Sequence, residues 1–78
     1  MTRSVAARPL DPDTYMRDLF RSKAVRDGAV IRRKSRDIDR LIGRERFLSE
    51  LQRRGFRAVE NAGQIVVFCN AEPVRVLT

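Results

Sequence analysis

One stretch limits what this chain can fold into: Gln64-Ile65-Val66-Val67-Phe68-Cys69-Asn70, where five apolar residues stand in a row between turn-forming neighbours. An amphipathic helix would interrupt such a run with polar residues, and a buried helix would be longer. The β-branched and aromatic content and the length favour a strand. Because the apolar run is unbroken, the expectation is a strand at the centre of a sheet, buried on both faces and covered from two sides by the rest of the chain.

Around it, the last third of the chain reads as strand and turn in alternation. Phe56 to Glu60 forms a strand, Asn61-Ala62-Gly63 a turn, the central run follows to Asn70, Ala71-Glu72-Pro73 turns again, and Val74 to Leu77 makes a third strand. Asn61 and Gly63 are expected to supply the positive φ values of a tight hairpin, and Pro73, without an N–H, suits a turn or the start of an edge strand. Phe56 and Ala58 share a face opposite Arg57, and Val74 and Val76 a face opposite Arg75.

Upstream of the sheet, the periodicity is helical. Asp11 can cap a helix with Pro12 in its first position and Asp13 beside the positive end of the dipole, and Tyr15, Met16, Leu19, Phe20 and Ala24 then make one apolar stripe that ends near Arg26 to Gly28. This helix is expected to cover one face of the sheet. Ala29 to Arg33 is β-branched at its start and reads as a fourth strand, with a loop as the alternative. Ser35 is a natural N-cap for Arg36 to Ile42, with Ile38, Leu41 and Ile42 on one face. Continuing that helix through Gly43 would place Ile42 and Phe47 about 140° apart around the axis, so a break is expected at Gly43. Arg44 to Arg54 then forms a third helix with Phe47, Leu48 and Leu51 inward, ended by Gly55. The fold class is α+β: an N-terminal amphipathic helix, two short helices separated at Gly43, and a C-terminal antiparallel β-meander of three strands, with the fourth near Ala29 to Arg33. Residues 1–10 lack periodicity and read as a flexible arm, residues 11–78 as a single small domain.

Charge is the strongest global feature. Lysine and arginine number 17 against 10 aspartate and glutamate, a net +7, and 15 of the 17 cations are arginine. Between Arg17 and Arg57 lie 14 cations and 6 anions, so the middle of the chain carries the imbalance. Guanidinium groups bind phosphates and carboxylates through paired hydrogen bonds, which points to nucleic acid or an acidic protein surface as partner. The bland alternative is solubility, or the arginine usage that accompanies a GC-rich genome. One cysteine, Cys69, excludes an internal disulfide and fits a reducing, cytoplasmic setting. Residues 1–10 lack the apolar core of a secretory signal, and no segment has the length of a membrane span.

Catalytic chemistry finds little support. The chain has no histidine, no G-x-S-x-G, no phosphate-binding loop, no H-E-x-x-H and no paired cysteines, so neither an enzyme nor a cofactor is expected. Asp37 and Asp39, two residues apart on a helix, point about 200° from each other and read as exposed helix-start anions rather than an acid–base pair. Cys69, at the end of an apolar strand, reads as a small core residue.

Two segments stand out as partner-binding candidates. Ile38 to Leu51, two short helices around a glycine, has the layout of a helix-turn-helix, in which Arg44, Arg46, Arg53 and Arg54 would meet phosphates or bases; packing alone also produces such pairs. Arg32-Arg33-Lys34-Ser35-Arg36 reads as a phosphate-contacting loop, against a plain solvated charge run. With Arg40, these make nine candidates: Arg32, Arg33, Lys34, Arg36, Arg40, Arg44, Arg46, Arg53 and Arg54.

The tract from Gly43-Arg44-Glu45-Arg46-Phe47 through Gly55-Phe56 to Gly63-Gln64-Ile65-Val66-Val67-Phe68-Cys69-Asn70, about half the chain, is similar to the C-terminal part of small proteins of GC-rich bacteria and their phages. A single small domain without catalytic motifs resembles the phage-encoded anti-CRISPR proteins, which inhibit by occupying a nucleic-acid-binding or docking surface on a CRISPR effector complex. That family has no common motif, so no residue is carried over. Many of its members are acidic mimics of nucleic acid, and a net +7 departs from that pattern. The resemblance implies an inhibitor whose partner is an acidic protein surface of a nucleic-acid-binding complex, or nucleic acid itself; a direct DNA- or RNA-binding regulator is the alternative, and a structural adaptor with incidental charge the third.

Overall fold

The computed structural model describes residues 11–78; the arm expected at residues 1–10 lies outside them. Four helices and three strands follow in the order α1 (Pro12–Phe20), α2 (Lys23–Arg26), β1 (Val30–Lys34), α3 (Ser35–Leu41), α4 (Arg44–Arg54), β2 (Arg57–Asn61) and β3 (Gln64–Phe68). The α+β class is as expected, and so is the central place of the apolar run: the sheet order is β1-β3-β2, antiparallel throughout.

Local chemistry sets most element ends. The Asp11 carboxylate accepts from the Thr14 N–H at 2.8 Å, with Pro12 opening α1. The stripe expected to run on to Arg26 is interrupted at Ser22, whose hydroxyl accepts from the Val25 N–H at 3.4 Å and restarts the chain as α2. A serine side chain offers the backbone an alternative to the helical ladder, which ends α1 at Phe20 rather than near Arg26. Ser35 does not cap the following helix. It is buried as the first residue of α3, its N–H donating to the Gly63 carbonyl at 2.8 Å, and its hydroxyl makes no hydrogen bond. The break at Gly43 is present, with φ of 101°, a value that only glycine adopts without strain. Gly55, at φ 76°, closes α4.

The third strand is not where the alternation of Val74 and Val76 placed it. Residues 71–78 form no strand and are exposed, Val76 to 86%. Both edges of β3 are already filled, by β2 through the hairpin and by β1, which pairs Val30 with Phe68 and Lys34 with Gln64. The segment read as an uncertain strand at Ala29 to Arg33 is thus the one that completes the sheet, shifted by one residue. In the hairpin, the two loop residues Ala62 and Gly63 carry the positive φ values, 51° and 76°, and Asn61 remains in β2.

The core lies on one side of the sheet. Ile31, Ile65, Val67 and Cys69 meet Leu19, Phe20, Val25, Ile38, Ile42, Phe47 and Leu51 from the helices, with Phe56 and Ala58 partly buried against them. Phe20 packs between Phe47 and Phe56 at centroid separations of 6.0 and 6.4 Å, within the range of favourable tilted ring pairs. Leu48, expected inward, is 40% exposed and lines an open groove with Phe56, Ala58, Pro73 and Val74.

On its other side, none of the described residues covers the sheet. The central strand is not sandwiched: Ile65 and Val67 are buried, but Val66 and Phe68 are only half-buried, and every outward side chain of β1 and β2 is exposed. The structure is therefore two layers, helices on one sheet face, and the expectation of cover on both faces fails. An apolar run cannot distinguish a strand buried twice from one whose second face carries Val66 and Phe68 in partial exposure.

Candidate functional site

Strand pairing lays out the uncovered face as three rows. Residues directly opposite in an antiparallel ladder share a face, so the rows read Arg57, Phe68, Val30; then Val59, Val66, Arg32; then Asn61, Gln64, Lys34. Four apolar side chains run through the middle. Val30 and Val59 are 53% and 43% exposed, and Phe68 stands between Arg57 and Val30. Three cations and two amides surround them, and no carboxylate occupies any of the nine positions.

The nine sequence candidates divide in two when their contacts are traced. Five are tied to carboxylates. Arg44, in the first turn of α4, donates to Asp39 at 2.8 and 3.2 Å and to Glu60 at 2.9 and 3.0 Å, joining α3, α4 and β2. These bonds, with the Ser35 side chain as a second and smaller influence, hold the Glu60 carboxyl down to about 2; they also hold the Asp39 carboxyl below its ordinary value and raise Arg44 above its own. Arg46 pairs with Asp13 across to α1, and Arg40 with Asp37 at 3.2 Å. Arg53 and Arg54 both reach Glu50, one turn back, and draw its carboxyl down to about 2. Arg54 also lies over the Phe20 ring, 4.4 Å from its centroid.

These contacts bear on the helix-turn-helix layout. The two helices and the intervening glycine exist, but a groove-reading helix leads with its N-terminal side chains, and here Arg44 and Arg46 are turned back onto the protein. The remaining four candidates, Arg32, Arg33, Lys34 and Arg36, have no carboxylate partner among the described residues. They do not form a loop. Arg32 to Lys34 lies in β1 and Arg36 in α3, so strand alternation sends Arg32 and Lys34 to the uncovered face. Arg33 lies on the helix side, in a groove with Tyr15, Asp18 and Leu19, its guanidinium donating to the Arg32 carbonyl at 2.7 Å. Arg36 lines a cleft with Lys34, Gln64 and Asp39 at the end of the sheet, around the β1–α3 corner, where the Asp39 carboxylate is engaged by Arg44.

Sequence reasoning missed Arg57, Phe68, Val66, Val30 and Val59 as surface groups. Period-two alternation in all three strands would have found them once Ala29 to Lys34 was taken as a pairing strand. Among the described residues, no three His, Cys, Asp or Glu side chains gather as metal ligands, and no helix is long and apolar enough to cross a membrane. Cys69 is buried beneath the sheet, and burial pushes its thiol above the ordinary value.

Comparison with protein-family models, with curated proteins and with solved structures finds no match for this chain.

Proposed function

We propose that this chain is a non-enzymatic binding protein that engages nucleic acid through Arg32, Lys34, Arg36 and Arg57. One observation carries the reading: Arg40, Arg44, Arg46, Arg53 and Arg54 on the helical side are bonded to carboxylates of the same chain, whereas these four have no carboxylate partner among the described residues, and three of them, Arg32, Lys34 and Arg57, share a sheet face with no acidic side chain. A cation already bonded to a neighbouring carboxylate has few donors left for a phosphate; an unpaired arginine keeps all five. A second reading, an inhibitor of anti-CRISPR type that docks on an acidic surface of a nucleic-acid-binding complex, draws on the apolar stripe of the same face, which would suit a protein partner.

The two readings separate in a binding titration against a random-sequence 20-mer, single-stranded and duplex, over a salt series. Four phosphate contacts predict a log–log slope of about −3. Absence of salt-dependent binding to either form defeats the nucleic-acid reading and leaves the protein-directed inhibitor.

A further inference from the structure

We propose that the uncovered sheet face takes single-stranded nucleic acid, with an unpaired base stacked on Phe68 and the flanking phosphates held by Arg32 and Arg57. This rests on the nucleic-acid reading above and adds which form is bound and by what.

The argument begins with what a duplex cannot use. In a double helix the base faces are stacked on one another, so a duplex meeting this surface offers phosphates to the arginines and nothing to the apolar stripe. Phe68, Val66, Val30 and Val59 would then be desolvated against a charged backbone, which disfavours close approach. A single strand presents both groups, since its bases turn out and stack on aromatic side chains while its phosphates follow a basic track.

The layout matches that pair of demands. Phe68 lies on the central strand, directly opposite Arg57 on one side and Val30 on the other; Arg32 lies one row along, on the far edge strand. The two arginines therefore flank the apolar stripe diagonally. With strands about 4.8 Å apart and same-face neighbours about 7 Å apart along a strand, the face is wide enough for two or three bases. The absence of any carboxylate on it removes the repulsion that phosphates would meet on the helical side, where Asp39, Glu50 and Glu60 stand. Gln64, in the third row, supplies an amide that donates and accepts toward a base edge.

The test is fluorescence anisotropy of the full chain with three labelled probes of about twelve nucleotides: oligo-deoxythymidylate, oligo-uridylate, and a DNA duplex of equal length, at about 50 mM salt. Both single strands are expected to bind at least about tenfold tighter than the duplex, because stacking is tolerant of base and sugar. Phe68→Leu should weaken single-strand binding about tenfold and leave duplex binding unchanged, and Phe68→Tyr should retain it. Thermal melting of each variant checks folding. Val30→Glu, at an exposed position, places an anion on the face without touching the core and should also weaken single-strand binding about tenfold. Equal affinity for single strand and duplex overturns the inference but leaves the nucleic-acid reading standing, and so does undiminished binding by folded Phe68→Leu or Val30→Glu. Failure to bind any of the three probes overturns both.

Discussion

The guanidinium of Arg44 grips the Glu60 carboxylate through bonds of 2.9 and 3.0 Å across 16 residues of chain. The same guanidinium holds Asp39, so one side chain closes the corner where α3, α4 and β2 meet. The residue that looked best suited to lead a DNA-reading helix is thereby a clamp inside the domain. Arg44→Gln should lower the melting temperature by several degrees while leaving nucleic-acid affinity within about twofold, since Arg32, Arg57 and Phe68, the groups proposed to contact a single strand, lie on the other side of the sheet.

Acid sensitivity follows from the same contacts. Glu60 and Glu50 titrate at about 2 in the fold against an ordinary glutamate value of 4.5, and Asp39 is also lowered. A folded-state value below the unfolded one means that the unfolded chain binds protons first as pH falls. The stabilisation is therefore fully present above about pH 5 and is lost progressively between about 4.5 and 2. Melting temperatures across pH 2 to 7 should show that fall, and Arg44→Gln should flatten the part of it due to Glu60 and Asp39. A flat wild-type profile over this window would show that the ion pairs do not form in solution.

The hairpin connecting β2 to β3 offers a stabilising change. Ala62 holds φ of 51° beside Gly63 at 76°, the pair of positive values required by a type I′ turn. An alanine in the left-handed region costs roughly 1 kcal/mol, part of which asparagine avoids. Ala62→Asn should therefore raise stability by about 0.5 kcal/mol, or a few degrees in melting temperature for a domain of this size. Gly63→Ala should lower it by about 1 kcal/mol.

Central strand, helix break and hairpin were legible because each is written locally: the run Ile65 to Cys69, Gly43 between two apolar stripes, Asn61-Ala62-Gly63 just ahead of the apolar run. Strand partnership was not, because Val74 to Leu77 and Val30 to Lys34 carry similar β-branched signals, and only tertiary packing decides that Val30 reaches Phe68 across 38 residues. The candidate site divides the same way. The Glu50 pairs with Arg53 and Arg54 follow from helical spacing and could have been discounted as partner contacts on that ground. The Arg44 pair with Glu60 joins distant segments, and nothing in the local pattern announces it.

Beneath the sheet, Cys69 is 4% exposed and its thiol is pushed up by burial, which fits a small core side chain. Cys69→Ala should cost about 1 kcal/mol for the small cavity and leave binding unchanged. Alkylation of the native protein at pH 8 should be slower than that of the urea-unfolded chain by at least about tenfold. Rapid native labelling would place the thiol at the surface.

Net charge and charge position can be separated by two matched variants. Replacing Arg32, Lys34, Arg36 and Arg57 by glutamine removes four positive charges, and so does replacing Arg40, Arg46, Arg53 and Arg54, so both carry +3 in place of +7. If general attraction to a polyanion were all that mattered, the two would lose affinity alike. The first set, however, has no carboxylate partner among the described residues and stands on and beside the open sheet face, while the second is bonded to Asp37, Asp13 and Glu50. Removing the first set should lower affinity for a single strand at least about tenfold and bring the salt slope close to zero, because each lost phosphate contact takes about 0.7 from it. Removing the second should leave the slope near its wild-type value, change affinity by less than about threefold, and show its effect as a lower melting temperature, since it strands three carboxylates without their partners. Equal loss of slope in both variants would reduce the arginine excess to bulk electrostatics and remove the sheet face as the site of contact.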